Sequence, residues 1–355
     1  MEVFMIAIGV DAHKRVHAAL ALDDAGTVLG SWRGPNTAKG WDDLGRWADQ
    51  WSQPRHWGIE GAWNYGRGLA QFLVAHNEVV YDINPRWTAE RRRRTRKLDK
   101  NDRLDAHAVA KLVREDGATL PPVHREDESV VLDLLVSERE AVLAETIRLR
   151  NQLHQLLLQL APDYATSIPT LRTPAGLRAV EALLPEPSGF LQSQRTEAIG
   201  RLLKRLHLAL EQTESLAAKI RELAAQQFLP LTEFCGVQLL TAGMLAGILG
   251  PGRRFTSEAQ LAAYAGVAPI EASSAGTIRH RLNRGGNRRL NAILYRIALV
   301  QATSSPQAKA YLARRQAEGK TRREAIRALK RYIIRAIWRL WQRCLVGQME
   351  VVPAT

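Results

Sequence analysis

The chain has 355 residues, enough for one to three domains, and 46% of them are hydrophobic, as in an ordinary globular protein. Charge is the unusual property, because 50 Lys and Arg face 36 Asp and Glu and give a formal net charge of +14. This balance favours a polyanionic partner, either nucleic acid or an anionic membrane surface. No apolar run approaches the roughly 20 residues of a membrane span. Nucleic acid is therefore the preferred partner, with no membrane contact.

The start of the chain lacks the basic and apolar pattern of a signal peptide, and we expect a cytoplasmic protein. Its two cysteines, Cys235 and Cys344, form neither a zinc spacing nor a disulfide framework. We interpret them as two buried or idle thiols in a reducing cytoplasm.

The first part of the chain predicts an α/β domain, placed at residues 1–125. Apolar runs predict strands at 5–10, 16–23, 27–33, 56–60 and 78–83, and helical spacing predicts helices at 37–51 and 69–75. Strands that are first paired and then alternate with helices are typical of such a domain.

The remainder is predicted to be mainly helical. Long Leu-rich helical patterns at 127–160 and 193–227, separated by a Pro- and Gly-rich excursion, indicate an antiparallel coiled-coil arm over 126–228. A mainly α C-terminal domain follows at 229–348, and 349–355 form a tail. Because a Leu-rich surface of this length needs a partner, we expect a dimer or higher oligomer.

Four acidic residues stand where a site would form. Asp11 and Glu60 end predicted strands, and Asp102 and Asp105 are spaced to share one face of a helix. Carboxylates that converge repel one another unless a cation lies between them, and Mg²⁺ prefers such oxygen ligands. Each acid also has a simpler interpretation, as a turn residue, an edge charge or a helix N-terminal acid.

A basic run precedes the paired aspartates directly. Its members are Arg91, Arg92, Arg93, Arg94, Arg96 and Lys97. Such a run is usually a solvated face, but beside an acidic site in a basic protein it favours contact with nucleic-acid phosphates.

These motifs resemble those of the DEDD-type insertion-sequence transposases, recombinases that are guided by a bridge RNA. The opening Ile8-Gly9-Val10-Asp11-Ala12-His13-Lys14, the run Gly58-Ile59-Glu60-Gly61 and the paired-aspartate run Lys97-Leu98-Asp99-Lys100-Asn101-Asp102-Arg103-Leu104-Asp105 carry the resemblance. It implies an RNase-H-like (RuvC-type) fold. It also implies that Asp11, Glu60, Asp102 and Asp105 bind Mg²⁺, as two ions per site.

The resemblance extends to the family's second domain, through Leu261-Ala262-Ala263-Tyr264-Ala265-Gly266 and Gly285-Gly286-Asn287-Arg288. That domain implies a serine nucleophile that forms a covalent phosphoserine link to DNA. Ser274 aligns with it, but this chain has Ser274-Ala275-Gly276 where the family has Ser-Gly, so Ser273 stays an alternative. After Glu60 the chain also departs from the family with Trp63 and Tyr65, which line a nucleic-acid path or, as we prefer, pack in the core.

A second basic cluster adjoins the two serines. It consists of Arg279, His280, Arg281, Arg284, Arg288 and Arg289. Its positive charge would stabilise the developing charge on a phosphate or anchor a nucleic-acid backbone.

The sequence thus predicts a transposase that cuts and rejoins DNA under RNA guidance. The acids and the serine lie on different predicted domains, so they would meet by interdomain closure or between subunits. A RuvC-like metal-dependent nuclease or resolvase without a covalent intermediate is the first alternative. A basic nucleic-acid-binding protein without enzymatic activity is the second.

Overall fold

A computed structural model describes residues 5–85, 87–88, 102–184, 189–252, 254–271, 280–281, 283 and 285–350. Of Asp102 and of residues 118, 271, 280, 281 and 346–350 it describes the backbone alone. The chain divides into two compact units, unit 1 with residues 1–127 and 249–263, and unit 2 with residues 128–248 and 264–355. Within these ranges no helix combines the length and apolar character needed to cross a membrane.

Unit 1 is built on one mixed sheet of five strands. These are β1 (Ile6–Ala12), β2 (Val16–Leu22), β3 (Val28–Pro35), β4 (Arg55–Glu60) and β5 (Val79–Ile83). Their order is β3-β2-β1-β4-β5, with β1–β2 and β2–β3 antiparallel and β1–β4 and β4–β5 parallel. The predicted α/β character of this part of the chain is confirmed.

Two helices cover one face of this sheet, α1 (Ala38–Ala48) and α2 (Arg67–Ala75). Helix α1 begins at Thr37, whose hydroxyl accepts the Gly40 N–H at 3.2 Å and so satisfies a free donor of the first turn. Buried side chains of both helices pack against alternate residues of β1, among them Ile8 and Val10. Apolar burial on this face therefore fixes which residues of β1 point the other way.

Helix α3 (Asp102–Asp116) lies on the opposite face and contacts β1 very closely. A Cβ atom added to Gly9 would stand 2.2 Å from the Ala106 carbonyl oxygen and from the Ala110 nitrogen. Ala7, nearer the start of β1, packs with Val109 and Val113. The helix therefore runs antiparallel to β1, and its first turn lies at the carboxyl end of that strand.

Unit 2 contains two long helices, α4 (Glu128–Leu160) and α7 (Phe190–Gln227), with α5 (Tyr164–Ser167) and α6 (Pro174–Leu183) between them. Glu145 forms an ion pair with Arg205 at 3.1 Å, and Leu132 and Ile220 both face Gly243. Early residues of α4 thus meet late residues of α7, as in an antiparallel pair. Both long helices are confirmed as helices, while a strict coiled coil stays a prediction.

The last part of the chain is mainly helical, as predicted. It contains α8 (Leu239–Leu249), α9 (Glu258–Tyr264), α10 (Arg288–Ser304), α11 (Pro306–Ala317) and α12 (Arg322–Glu350). Two short antiparallel strands, β6 (Ile270–Glu271) and β7 (His280–Arg281), lie between α9 and α10. The predicted domain boundaries at 125, 228 and 348 stay predictions.

Candidate active site

Asp11 and Glu60 occupy the carboxyl ends of two neighbouring parallel strands. Val10 pairs with Ile59 in the register of β1 and β4, so the two acids follow at matched positions. Both lie two residues beyond a glycine whose added Cβ would collide with α3, namely Gly9 and Gly58. Because side chains of a strand alternate between faces, both carboxylates point to the face that α3 covers.

The first turn of α3 brings a third carboxylate to the same edge. Asp105 lies one residue before Ala106, which contacts Gly9, and only 4% of its surface is exposed. Asp11 is similarly buried, with 5% exposed. The backbone of Asp102 stands one helical turn before Asp105 and on the same face of the helix. Three strand and helix termini therefore place Asp11, Glu60, Asp105 and the backbone of Asp102 at one edge of the sheet.

Local hydrogen bonds hold two of these acids in place. The Thr88 hydroxyl donates to Glu60 Oε1 at 3.1 Å and to the Pro85 carbonyl oxygen at 2.9 Å. His13, on the loop that follows β1, places its Nε2 atom 3.1 Å from Asp11 Oδ2. His13 is half-exposed, whereas Asp11 is buried, so this histidine shields the carboxylate from the solvent side.

The chemistry of these side chains fits a hard divalent cation. Carboxylate oxygens are the ligands that Mg²⁺ takes in proteins, and buried carboxylates gain most from a cation because water solvates them poorly. Among the side chains that the structure describes, no three His, Cys, Asp or Glu form a group close enough to hold an ion. The Asp102 side chain lies outside that description. The described side chains alone therefore do not form a metal site.

Asn36 supports this edge and was missed by the sequence analysis. Its amide Nδ2 donates to the carbonyl oxygens of Lys14 and Tyr65 at 3.4 and 3.2 Å, and its Oδ1 accepts the Trp41 indole N–H at 3.0 Å. It thereby ties the loop after Asp11 to the turn after Glu60. The only sequence signal was its position just before a helix, which many asparagines share.

Asp82 was missed as well, although a charged residue in the apolar run of β5 was a usable signal. It pairs in register with Ile59, so it points to the face opposite Glu60. Its Oδ1 accepts the Ala62 N–H at 3.1 Å, which fixes the turn after Glu60. Burial raises the pKa of Asp82, while Arg254 and the Ala62 N–H lower it in part.

The two aromatic residues after Glu60 have different environments. Trp63 packs against the core under α1 and α2, as preferred. Tyr65 is 51% exposed, so core packing was the wrong interpretation for this residue.

The predicted nucleophile segment lies outside the described residues. Ser273 and Ser274 belong to the connection between β6 and β7, and the basic run Arg91, Arg92, Arg93, Arg94, Arg96 and Lys97 is likewise outside. In the second cluster Arg279 and Arg284 are outside too, and His280 and Arg281 are described by their backbone in β7.

Arg288 and Arg289, at the start of α10, differ from each other. Arg289 is partly buried and forms ion pairs with Asp133 at 3.0 Å and Glu140 at 2.9 Å, both in α4. Arg288 is exposed and lines a cavity of about 510 Å³. Of these two arginines, Arg288 is the one that the structure leaves facing solvent.

Two family models match the chain over about two thirds of its length. Residues 8–162 match a model of DEDD transposases of the IS110 type, described as transposase. Residues 230–313 match the model of the transposase IS116/IS110/IS902 family. The first match contains all four acids, and the second contains both serines.

Individual relatives agree with these matches. An insertion element IS110 protein of Streptomyces coelicolor is 28% identical over 67% of this chain and 70% of its own length. An insertion element IS116 protein of Streptomyces clavuligerus is 24% identical over 94% of both chains. The transposase of insertion sequence element IS1328 from Yersinia enterocolitica is 25% identical over 58% of this chain and 59% of its own. The chain therefore belongs to the IS116/IS110/IS902 family of transposases, DNA-binding enzymes of insertion sequences.

Proposed function

We propose that this transposase cuts and rejoins DNA strands at a divalent-metal site formed by Asp11, Glu60, Asp102 and Asp105 in a domain of RNase-H-like (RuvC-type) fold. The observation that carries the proposal is the convergence of strand and helix ends. Asp11 and Glu60 point to the face of the sheet covered by α3, and the first turn of α3 carries Asp105. The close contact at Gly9 leaves no room for a side chain between β1 and α3.

Within this site three of the four acids have a defined task. Asp11 and Asp105 supply buried oxygens, and Glu60 supplies an oxygen whose orientation Thr88 fixes. The four carboxylates would hold two Mg²⁺ ions, and such ions would supply charge stabilisation to a displacement at phosphorus. Because carboxylates and a phosphodiester repel each other, the four acids would position the phosphate only through a bound cation.

We assign the nucleophile to Ser274. In this step the Ser274 hydroxyl oxygen bonds to phosphorus, the phosphodiester bond to one sugar oxygen breaks, and the serine proton passes to that leaving oxygen. A sugar hydroxyl of the new partner strand reverses the exchange and frees the serine. No bond energy is lost to hydrolysis, because one phosphodiester is exchanged for another of the same kind.

The test uses the full chain with Mg²⁺, guide RNA and DNA that bears the element ends. After denaturation, protein covalently attached to DNA is expected for the wild type and for Ser273→Ala, and none is expected for Ser274→Ala. The neighbouring serine is a matched control, since both changes remove one hydroxyl at adjacent positions of the chain. An adduct that persists in Ser274→Ala contradicts the assignment.

The same assay decides between this proposal and a nuclease. Strand cleavage that never yields an adduct would favour a RuvC-like nuclease without a covalent intermediate. Activity that survives Asp102→Ala would contradict both enzymatic mechanisms, because each needs the four carboxylates.

RNA guidance and self-association complete the proposal. The net charge of +14 suits a second polyanion besides DNA, and the exposed Leu134, Ile147 and Leu208 on α4 and α7 suit a second copy of the chain. Omitting the guide RNA is expected to abolish adduct formation, and sedimentation velocity is expected to give a mass of at least twice 39.6 kDa. A strictly monomeric active enzyme would contradict the second expectation.

A further inference from the structure

Unit 2 contains a cavity of about 510 Å³ whose described walls carry three cationic side chains. Arg288 comes from the first turn of α10, and Arg327 and Lys330 come from α12, one turn apart. Asn283, Gly286 and Asn291 also line it, and no Asp or Glu is among its described lining residues. The volume lies in the range of pockets that hold small organic groups.

Lys330 is the most informative of these residues, because only 7% of its surface is exposed. Its Nζ donates to Asn291 Oδ1 at 2.7 Å, a neutral acceptor, and no carboxylate of the described residues contributes to its electrostatics. Burial, and then the nearby Arg327, lowers the pKa of Lys330. A buried ammonium beside a second cation is costly to maintain, and a nearby anion lowers this cost.

The backbone around the cavity is held firmly. An added Cβ at Gly286 would stand 2.3 Å from the Gly266 Cα atom, so these two segments touch directly. The Asn287 N–H donates to the Tyr264 carbonyl oxygen, and Asn291 Nδ2 donates to the Ala265 carbonyl oxygen at 2.8 Å. These backbone contacts form part of the cavity wall, beside the cationic side chains.

We infer that this cavity binds a backbone phosphate of the nucleic acid, gripped by Arg288, Arg327 and Lys330. A phosphodiester offers acceptor oxygens and one negative charge, which match the donors of two guanidinium groups and one ammonium. Tyr295 also lines the cavity and is 48% exposed, so its ring offers an apolar surface to the attached sugar or base. This assignment deepens the proposed function, since it names a point at which the transposase holds its substrate or guide.

The test measures binding rather than chemistry, in EDTA, so it does not depend on the proposed metal site. Fluorescence anisotropy with labelled duplex DNA, single-stranded DNA and RNA of one sequence gives the affinity at several salt concentrations. Arg288→Gln and Arg327→Gln are each expected to weaken binding about tenfold and to lower the salt slope by about one. The probe that loses affinity shows whether duplex DNA, single-stranded DNA or RNA supplies the phosphate.

Two further variants keep the result interpretable. Arg339→Gln removes the same charge from an exposed position of α12, about 18 Å along the helix from Arg327, and is expected to bind within about twofold of the wild type. Lys330→Arg keeps the buried charge, and it is expected to retain more affinity than Lys330→Met if both variants fold with the wild-type circular dichroism spectrum. Wild-type affinity and slope in Arg288→Gln and Arg327→Gln would overturn the assignment for all three nucleic acids. Because the binding assay contains no metal, a failure of the metal-site proposal leaves this outcome unaffected.

Discussion

The carboxyl edge of the sheet in unit 1 and the cavity beside α10 in unit 2 bury charges of opposite sign. At the edge, Asp11 and Asp105 are almost fully buried at the junction of a strand and a helix. In the cavity, Lys330 is almost fully buried at a contact of two helices, with Arg327 and Arg288 beside it. Ionised groups are rarely buried so completely unless a partner offsets their charge. This opposite charge is the reason for which we propose a cation ligand at one region and an anion ligand at the other.

The largest expected effect comes from the acidic edge. Asp105→Asn keeps the shape of the side chain but removes its charge, so strand transfer is expected to fall about 1000-fold, the equivalent of several kcal/mol of lost electrostatic stabilisation. Mg²⁺ is expected to raise the melting temperature of the wild type but not of this variant. Asp116→Asn, at the other end of α3, is the control and is expected to behave like the wild type in both measurements. If Mg²⁺ raised the melting temperature of Asp105→Asn and Asp116→Asn equally, Asp105 would not be a metal ligand.

A substitution at Gly9 is expected to disrupt the acidic edge without altering any of the acids. Gly9→Ala places a Cβ 2.2 Å from backbone atoms of Ala106 and Ala110, and backbone cannot move aside as a side chain can. We expect a loss of about 3 kcal/mol in the free energy of unfolding, measured by urea denaturation.

Gly45→Ala is the matched control for this change. Gly45 lies in α1, and its added Cβ meets nothing closer than Phe72 Cε1 at 4.0 Å. Alanine at this helical position is expected to stabilise the protein by about 0.5 to 1 kcal/mol. If both substitutions changed the free energy of unfolding in the same direction, the close packing of α3 on β1 would be incorrect.

Added phosphate tests whether the cavity in unit 2 binds an anion. At constant ionic strength, replacing chloride by inorganic phosphate is expected to stabilise the wild type by about 1 kcal/mol more than Lys330→Met, because only the intact cavity binds the ion. The Arg339→Gln protein serves as the reference for general salt effects. Equal phosphate stabilisation in Lys330→Met and the wild type would remove the reason to regard the cavity as an anion site.

The smallest effect concerns Asp82, on the face of the sheet opposite the candidate site. Burial raises its folded-state pKa above the unfolded value, so the folded protein binds this proton more tightly. Its contribution to stability is therefore greatest below the unfolded pKa and is lost as the pH rises through the folded pKa. Asp82→Asn retains an oxygen acceptor for Ala62 and is expected to flatten this decline, with a change of about 0.5 to 1 kcal/mol followed by thermal denaturation between pH 3 and 7. If the stability of Asp82→Asn declined with pH as in the wild type, Asp82 would not be the group responsible for the decline.

The sequence predicted the elements of unit 1 well, because strand and helix periodicities differ and each element has clear end signals. It predicted the acids for a further reason, since Asp11 and Glu60 follow apolar strands and Asp102 and Asp105 share a helical spacing. Asn36 and Thr88 escaped notice, because hydrogen bonds to loops and to a distant carboxylate leave no periodic pattern. Tyr65 was misplaced for a similar reason, as an aromatic residue after a strand suits both core and surface.

The cavity could not be predicted from the sequence. Arg288 stood out in a basic cluster, but Arg327 and Lys330 lie about forty residues later in a helix with many other basic residues. Nothing in their spacing distinguishes them from solvated arginines on the same helix. Only the packing of α10 on α12, joined by the Lys330–Asn291 hydrogen bond, brings the three cations together and buries one of them.

By itself, then, the sequence determined the order of strands and helices, the basic character of the chain and the identities of the four acids, because these depend on local spacing and composition. The tertiary structure decided that Gly9 admits α3 against β1, which puts Asp105 beside the strand ends that carry Asp11 and Glu60. It also decided which cations face a common cavity. Both outcomes depend on contacts between residues far apart in the chain, and the closeness of such contacts is set by packing rather than by any local pattern.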